Sequence, residues 1–228
     1  MNRINIVCGH YGSGKTEFSL NYAVWLKRQG KETALIDLDI ANVYFRSREL
    51  RKFLNEKGIE IYGSAFDHDI TAELPALSSK IRKPLEDESC FTVIDVGGNQ
   101  RGAIILNQFT KYFSSGRFNM YCIINANRPE TDSIDGCLHH INEIELATGL
   151  KVTGLVNNTH MLNSTSVEDI ERGEALCMNL SELLSVNFVY NCYSLGILKE
   201  EDVLSASVSS NAKLFPMELF MRPSWLDR

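Results

Sequence analysis

Eight residues near the start of the chain, Gly9 to Thr16, read GHYGSGKT and match the pattern G-x-x-x-x-G-K-[ST]. That spacing suits a phosphorylated anion. Glycine at positions 12 and 14 permits backbone conformations and a close approach that a side chain would block, so successive N–H groups can wrap a β-phosphate where a helix begins. Lys15 then neutralises the β- and γ-phosphates, and Thr16 offers a hydroxyl to Mg²⁺, which fills its other positions with phosphate oxygens and waters. With Gly9, Tyr11, Ser13 and Glu17, these residues form the set expected to line a nucleoside triphosphate.

Two acidic strand ends supply the remaining parts of a phosphoryl-transfer site. In FTVIDVGG an apolar run delivers Asp95, followed by Gly97 and Gly98. Asp95 is expected to hold Mg²⁺ through a water, and Gly98 to offer an N–H to the γ-phosphate. A plain capping role for Asp95 is the alternative. In LIDLDIANVYFRSRE, Asp37 and Asp39 stand two apart and so share one face of a strand or its extension. Asp39, nearer the strand end, is expected to position the attacking water and to stand with Thr16 and Asp95 around the metal, while Asp37 can be structural. Arg46 or Arg48 in the segment that follows could stabilise transition-state charge. KVTGLVNNTH ends in Asn157 and Asn158, and an asparagine amide both donates and accepts, as an adenine edge requires. A guanine-reading N-K-x-D motif needs a lysine and an aspartate that NNTH lacks, so ATP is expected over GTP; a turn-forming role for the asparagines stays open.

The elements that must carry these residues are legible in the alternation of the chain. INIVC, TALIDLD, FTVIDVGG, MYCIINA, KVTGLVN and VNFVYN are short apolar runs rich in β-branched or aromatic residues and read as strands. Between them, Phe18, Tyr22 and Trp25, and later Ile134, Leu138, Ile141 and Ile144, recur at helical spacing. Ser133 is placed to cap the second of these helices, and Ser166 with Asp169 resembles a capping box opening a segment to Leu184. ELPALSSKIRKPL, within 65–85, also has a helical pattern, as core or as client surface. This alternation predicts a three-layer α/β fold, a mostly parallel sheet with helices on both faces. A single nucleotide-binding domain over 1–228 is expected, with 211–228 as a C-terminal tail docked back through residues such as Phe215, Phe220 and Trp225, and Pro216 and Pro223 barring a long helix.

Composition narrows the classes further. The 228 residues carry a formal charge of -6, which gives no global field for nucleic acid. No signal-like n- and h-region opens the sequence and no apolar run nears the roughly 20 residues of a spanning helix, so a cytoplasmic address without a membrane span is expected. The six cysteines include no CxxC or CxC pair and read as small hydrophobes.

Taken together, the loop, the D-x-D strand end, DVGG and the late asparagine resemble the MinD/ParA class of P-loop ATPases, which includes CooC nickel-insertion ATPases and dethiobiotin synthetase. GHYGSGKTE, LIDLDIANVYFRSRE and VIDVGGN are most similar to bacterial ATP-binding proteins of the CobQ/CobB/MinD/ParA type. The resemblance implies ATP with Mg²⁺, an adenine-reading role for Asn158, and an ATP-dependent homodimer acting as a switch on a protein client. Two departures stand out. His10 occupies the position where many members carry a signature lysine that reaches the partner's phosphates, leaving His10, Arg46 or Arg101 as substitutes or bystanders. The CxC pair through which CooC-like members share a metal is missing. The expected function is a slow ATPase switch; a small-molecule kinase or ATP-dependent ligase, with Arg101, Arg128 or His68 at an acceptor, and a non-hydrolysing scaffold are the alternatives.

Overall fold

The protein is described by a computed structural model over residues 2–39, 48–63, 74–206 and 211–221. Arg46, His68, Pro223, Trp225 and the side chain of Arg48 lie outside the described residues. In chain order the strands are β1 (Ile4–Gly9), β2 (Glu32–Asp37), β3 (Glu60–Gly63), β4 (Cys90–Asp95), β5 (Phe118–Ile124), β6 (Gly154–Asn157), β7 (Asn187–Ser194) and β8 (Lys213–Met217). The helices are α1 (Lys15–Arg28), α2 (Arg48–Glu56), α3 (Leu74–Glu86), α4 (Gln100–Ala103), α5 (Ile134–Thr148), α6 (Val167–Leu184) and α7 (Glu200–Ala206), with a 3₁₀ helix at Ile104–Tyr112. The strands form one parallel sheet in the order β3-β2-β4-β1-β5-β6-β7-β8.

The central strands β1, β2, β4, β5 and β6 are largely apolar because both faces are covered, as a parallel sheet requires. Residues alternate between two cores. Ile6, Cys8, Ile36, Ile94 and Cys122 face Ile81 and Leu85 of α3, Leu106 and Phe109 of the 3₁₀ helix, and Ile141 and Cys177 of α5 and α6. Val7, Leu35, Val93, Ile123 and Val156 face Phe18, Tyr22 and Leu26 of α1 and Leu50 and Leu54 of α2. The 65–85 pattern is thus helical from Leu74, and its Ile81 and Leu85 are core. Ser133 accepts the Gly136 N–H at the start of α5, and the Ser166–Asp169 capping box is formed. All six cysteines are buried and unpaired.

Two strands go beyond the sequence reading. β3 is a four-residue edge strand, too short to show a period. β8 contains Pro216, yet it lies at the sheet edge, bonded only to β7, where a missing N–H is tolerated. Beyond β8 the chain crosses α1: Asn21 Nδ2 donates to Glu218 O at 2.9 Å, Asn21 Oδ1 accepts the Glu218 N–H at 2.9 Å, and Phe220 packs on Phe53 of α2.

At the carboxyl ends of β5, β6 and β7 a buried polar network fixes the loops. Asn157 donates to Ile170 O at 3.0 Å and to Asn191 Oδ1 at 2.7 Å, and its Oδ1 accepts from Thr159 N and Oγ1. Asn191 in turn donates to Glu174 at 3.1 Å. Gly173 of α6 sits against this network: a Cβ there would lie 2.1 Å from both Asn157 Oδ1 and Thr159 Oγ1. Gly173→Ala is predicted to destabilise the protein by about 2–3 kcal/mol through overpacking, read as a lower urea midpoint with an unchanged m-value.

A second test concerns His140, which α5 buries to 4% exposure with Nε2 lacking a hydrogen-bond partner among the described residues. Burial, followed by the charges of His10, Lys15 and His139, lowers its pKa from 6.5 to about 4. A histidine kept neutral by the fold contributes stability that is present above about pH 6.5 and is lost as the pH falls toward 4. Thermal unfolding is expected to weaken over that window, and His140→Leu to flatten the acid limb; an unchanged limb would assign the loss to other groups.

Candidate functional site

The carboxyl ends of β1, β2 and β4 come together because the three strands are neighbours and in register: Val7 pairs with Asp95, and Asp37 with Asp95. Beyond β1 the loop turns through a Ser13 N–H to His10 O bond of 3.1 Å and enters α1 at Gly14. Gly14 provides no side-chain cap, so the first N–H groups of α1 are left to a ligand or water. Ser13 Oγ is buried and has no hydrogen-bond partner among the described residues.

Lys15 is 5% exposed, and its Nζ lies 3.2 Å from Asp39 Oδ2. The same Nζ is 5.2 Å from the centroid of the Tyr11 ring and 3.2 Å from where a Cβ on Gly98 would stand, so a side chain at Gly98 would crowd the lysine. Thr16 Oγ1 donates to Asp95 Oδ2 at 2.7 Å, and Ser19 Oγ lies 3.2 Å from Asp95 Oδ1. Full burial raises the Asp95 pKa to about 6, with Lys15 and the Thr16 hydroxyl pulling down and Asp39 pushing up. Asp37 Oδ1 accepts the Asp39 N–H at 2.9 Å, an Asx turn that bends the chain beyond β2 and brings Asp39 to Lys15. The structure therefore brings together Lys15, Thr16, Asp39, Asp95 and Gly98, with Tyr11 43% exposed at the rim. Oxygen donors from a hydroxyl and two carboxylates are the set a hard divalent cation takes.

Other expected residues sit differently. The Glu17 carboxylate accepts the backbone N–H groups of Phe220 and, at 3.1 Å, Met221, and burial lifts its pKa to about 7 against those bonds. It faces the C-terminal segment. Asn157 points inward, into the network below the sheet edge. Asn158, 6% exposed, donates from Nδ2 to Ser13 O at 2.8 Å. Its Oδ1 accepts no hydrogen bond among the described residues. His10 Nδ1 lies 3.8 Å from Glu130, with its ring edge-on to His140 at 5.4 Å. Arg101 is exposed. Ser19 went unread in the sequence although it stands one helical turn from Lys15, and Arg128 and Asn125, read either as acceptor-binding or not at all, both reach Gly12 O.

Among curated proteins none matches the sequence. Of solved structures, chloroplast FtsY from Physcomitrella patens superposes with a TM-score of 0.58 at 18% identity, covering 89% of this chain and 64% of its own. FtsY from Thermotoga maritima gives 0.59 at 16%, over 82% and 60%. This chain therefore spans less than two thirds of the FtsY structures it matches first. A nucleotide-binding protein from Archaeoglobus fulgidus in complex with ADP gives 0.51 at 14%, over 90% of this chain and 84% of that one. These likenesses establish the α/β fold. Among the described residues no helix is long and apolar enough to cross a membrane. Residues 4–187 match the model of the CobQ/CobB/MinD/ParA nucleotide binding domain, and the chain belongs to that family.

Proposed function

We propose that this chain binds ATP with Mg²⁺ on the Gly9–Thr16 loop and hydrolyses it slowly, as a nucleotide-controlled switch on a protein client. The observation that carries the reading is the buried Lys15–Asp39 pair beside Asp95 and Thr16, at the end of a helix whose first N–H groups are uncapped. A buried ammonium held by a single carboxylate oxygen can exchange that partner for phosphate oxygens without meeting bulk water. The exchange releases the Asp39 carboxylate, which then orients the water that attacks the γ-phosphate in line. The orphaned Ser13 hydroxyl supports a ligand in the loop. Mg²⁺, when bound, neutralises charge developing on the phosphates; Thr16 would hold it directly, Asp95 through a water, and Asp39 would stand beside them.

Gly98 stands beside Lys15, a place that suits a backbone N–H sensing the γ-phosphate. For the base, the open Oδ1 of Asn158 supports adenine, whose 6-amino group donates where guanine presents a carbonyl. Tyr11, 43% exposed on the loop, supports pairing with a second copy when ATP is bound. Sedimentation with a non-hydrolysable ATP analogue, which should double the mass while ADP does not, tests that pairing.

Asp39→Ala is expected to lower the rate of phosphate release about 100-fold while ATP binding changes little. Turnover equal to wild type would sink the water role. Lys15→Ala is expected to weaken ATP binding roughly 10- to 100-fold, the scale of one lost charge-assisted contact, and calorimetry showing full affinity would remove the loop as the site. Tighter binding of GTP than ATP in the same cell would overturn the base assignment.

A further inference from the structure

The outer side of the phosphate loop is held by a device of its own. β5 ends at Ile124, and Asn125 to Arg128 then form a turn closed by an Arg128 N–H to Asn125 O bond of 3.1 Å. Both side chains of that turn converge on one atom: Arg128 Nε donates to Gly12 O at 3.0 Å, and Asn125 Nδ2 to the same oxygen at 3.2 Å. Asn125 is fully buried and fixed on other sides, its Oδ1 accepting from Asn127 N at 2.9 Å and His160 N at 3.3 Å, and its carbonyl from Thr131 Oγ1 at 2.9 Å. The next carbonyl, of Ser13, accepts from Asn158 Nδ2 at 2.8 Å.

Two successive loop carbonyls are thus drawn outward by three side-chain donors from the ends of β5 and β6. In a trans peptide the N–H points opposite to the C=O of the same plane. Drawing the Gly12 carbonyl outward therefore turns the Ser13 N–H inward, where it closes the loop's own turn on His10 O at 3.1 Å, and drawing the Ser13 carbonyl outward turns the Gly14 N–H toward the inside of the loop. The guanidinium lies so close that a Cβ on Gly12, whose φ is +74°, would meet Arg128 Nε at 2.7 Å; one on Gly14, φ +80°, would meet Asn158 Nδ2 at 2.2 Å.

We propose that Arg128, anchored beside Asn125, is a positioning residue for phosphate binding: its guanidinium sets the orientation of the loop peptide between Gly12 and Ser13, whose N–H closes the turn on His10 O, and so holds the loop in the shape that presents the Gly14 N–H to a β-phosphate. The proposal rests on the nucleotide-binding reading above. An orientation set before binding serves ground state and transition state alike, so its loss raises KM and leaves kcat in place.

The test compares wild type with Arg128→Ala and Arg128→Lys, measuring ADP and ATP affinities by calorimetry and steady-state hydrolysis. Arg128→Ala is expected to weaken ADP and ATP by the same factor, about 10-fold, the scale of one hydrogen bond from a charged donor, with kcat at saturation unchanged. Arg128→Lys is expected to recover little of this, because an ammonium on a flexible stem lacks the planar Nε–H. Methylguanidine added to Arg128→Ala should restore ADP affinity, which repair of a general folding defect would not do. ADP affinity equal to wild type with a lowered kcat would overturn the proposal in favour of direct transition-state contact. Failure of methylguanidine, together with a lowered melting temperature, would reduce Arg128 to a structural role. Wild type that binds no nucleotide would instead refute the reading on which the proposal rests.

Discussion

A buried ammonium is tolerated only when opposite charge and hydrogen-bond acceptors surround it, and that condition governs the carboxyl edge of this sheet. Lys15 is nearly inaccessible and lies against Asp39, with Asp95 close enough to be counted among the charges that act on it. Satisfying it requires the ends of β1, β2 and β4 to be adjacent, which the parallel order β2-β4-β1 accomplishes. It also requires the chain to bend beyond β2, which the Asp37 side chain does by holding the Asp39 N–H. Removing one partner from such a group leaves a charge stranded in a low-dielectric setting, so the cluster acts as a unit.

On the other side of the loop the same edge is rigid for a different reason. Asn157, Thr159, Asn191 and Glu174 satisfy one another in the interior, and such a network fixes a geometry because each member left unpaired would cost the desolvation of its polar atoms. The loops bearing Asn125, Arg128 and Asn158 leave from this network. The Gly9–Thr16 loop is therefore gripped between a charged cluster on one flank and neutral or cationic donors on the other.

The C-terminal segment adds a third attachment. Residues 218–221 run along the first turns of α1 and meet Asn21 and Glu17, while Phe220 reaches α2. Glu17 directly follows Thr16 in the sequence, so the segment touches the helix that begins at the Gly9–Thr16 loop. Its backbone N–H groups use acceptors on α1 that a surface helix would otherwise give to water.

The sequence by itself determined the Gly9–Thr16 motif between a strand and a helix, the acids Asp39 and Asp95 at or just beyond strand ends, the alternation of strands and helices, and the caps at Ser133 and Ser166. Each of these is a local pattern: fixed spacing, period, or a side chain bonding its own backbone within four residues. Tertiary structure alone decided the edge strands, since β3 is too short to show a period and Pro216 in β8 is acceptable only at a sheet edge. It likewise decided that Glu17 turns to the tail, that Asn157 faces inward while Asn158 faces the loop, and that Arg128 lies over Gly12. The glycines at 12 and 14 show the division most clearly: their positive φ and place in the motif are local, but the guanidinium and amide that fill the missing Cβ positions come from Arg128 and Asn158, more than a hundred residues away. Contacts across such separations are set by which strands become neighbours in the sheet, and no short stretch of sequence encodes that.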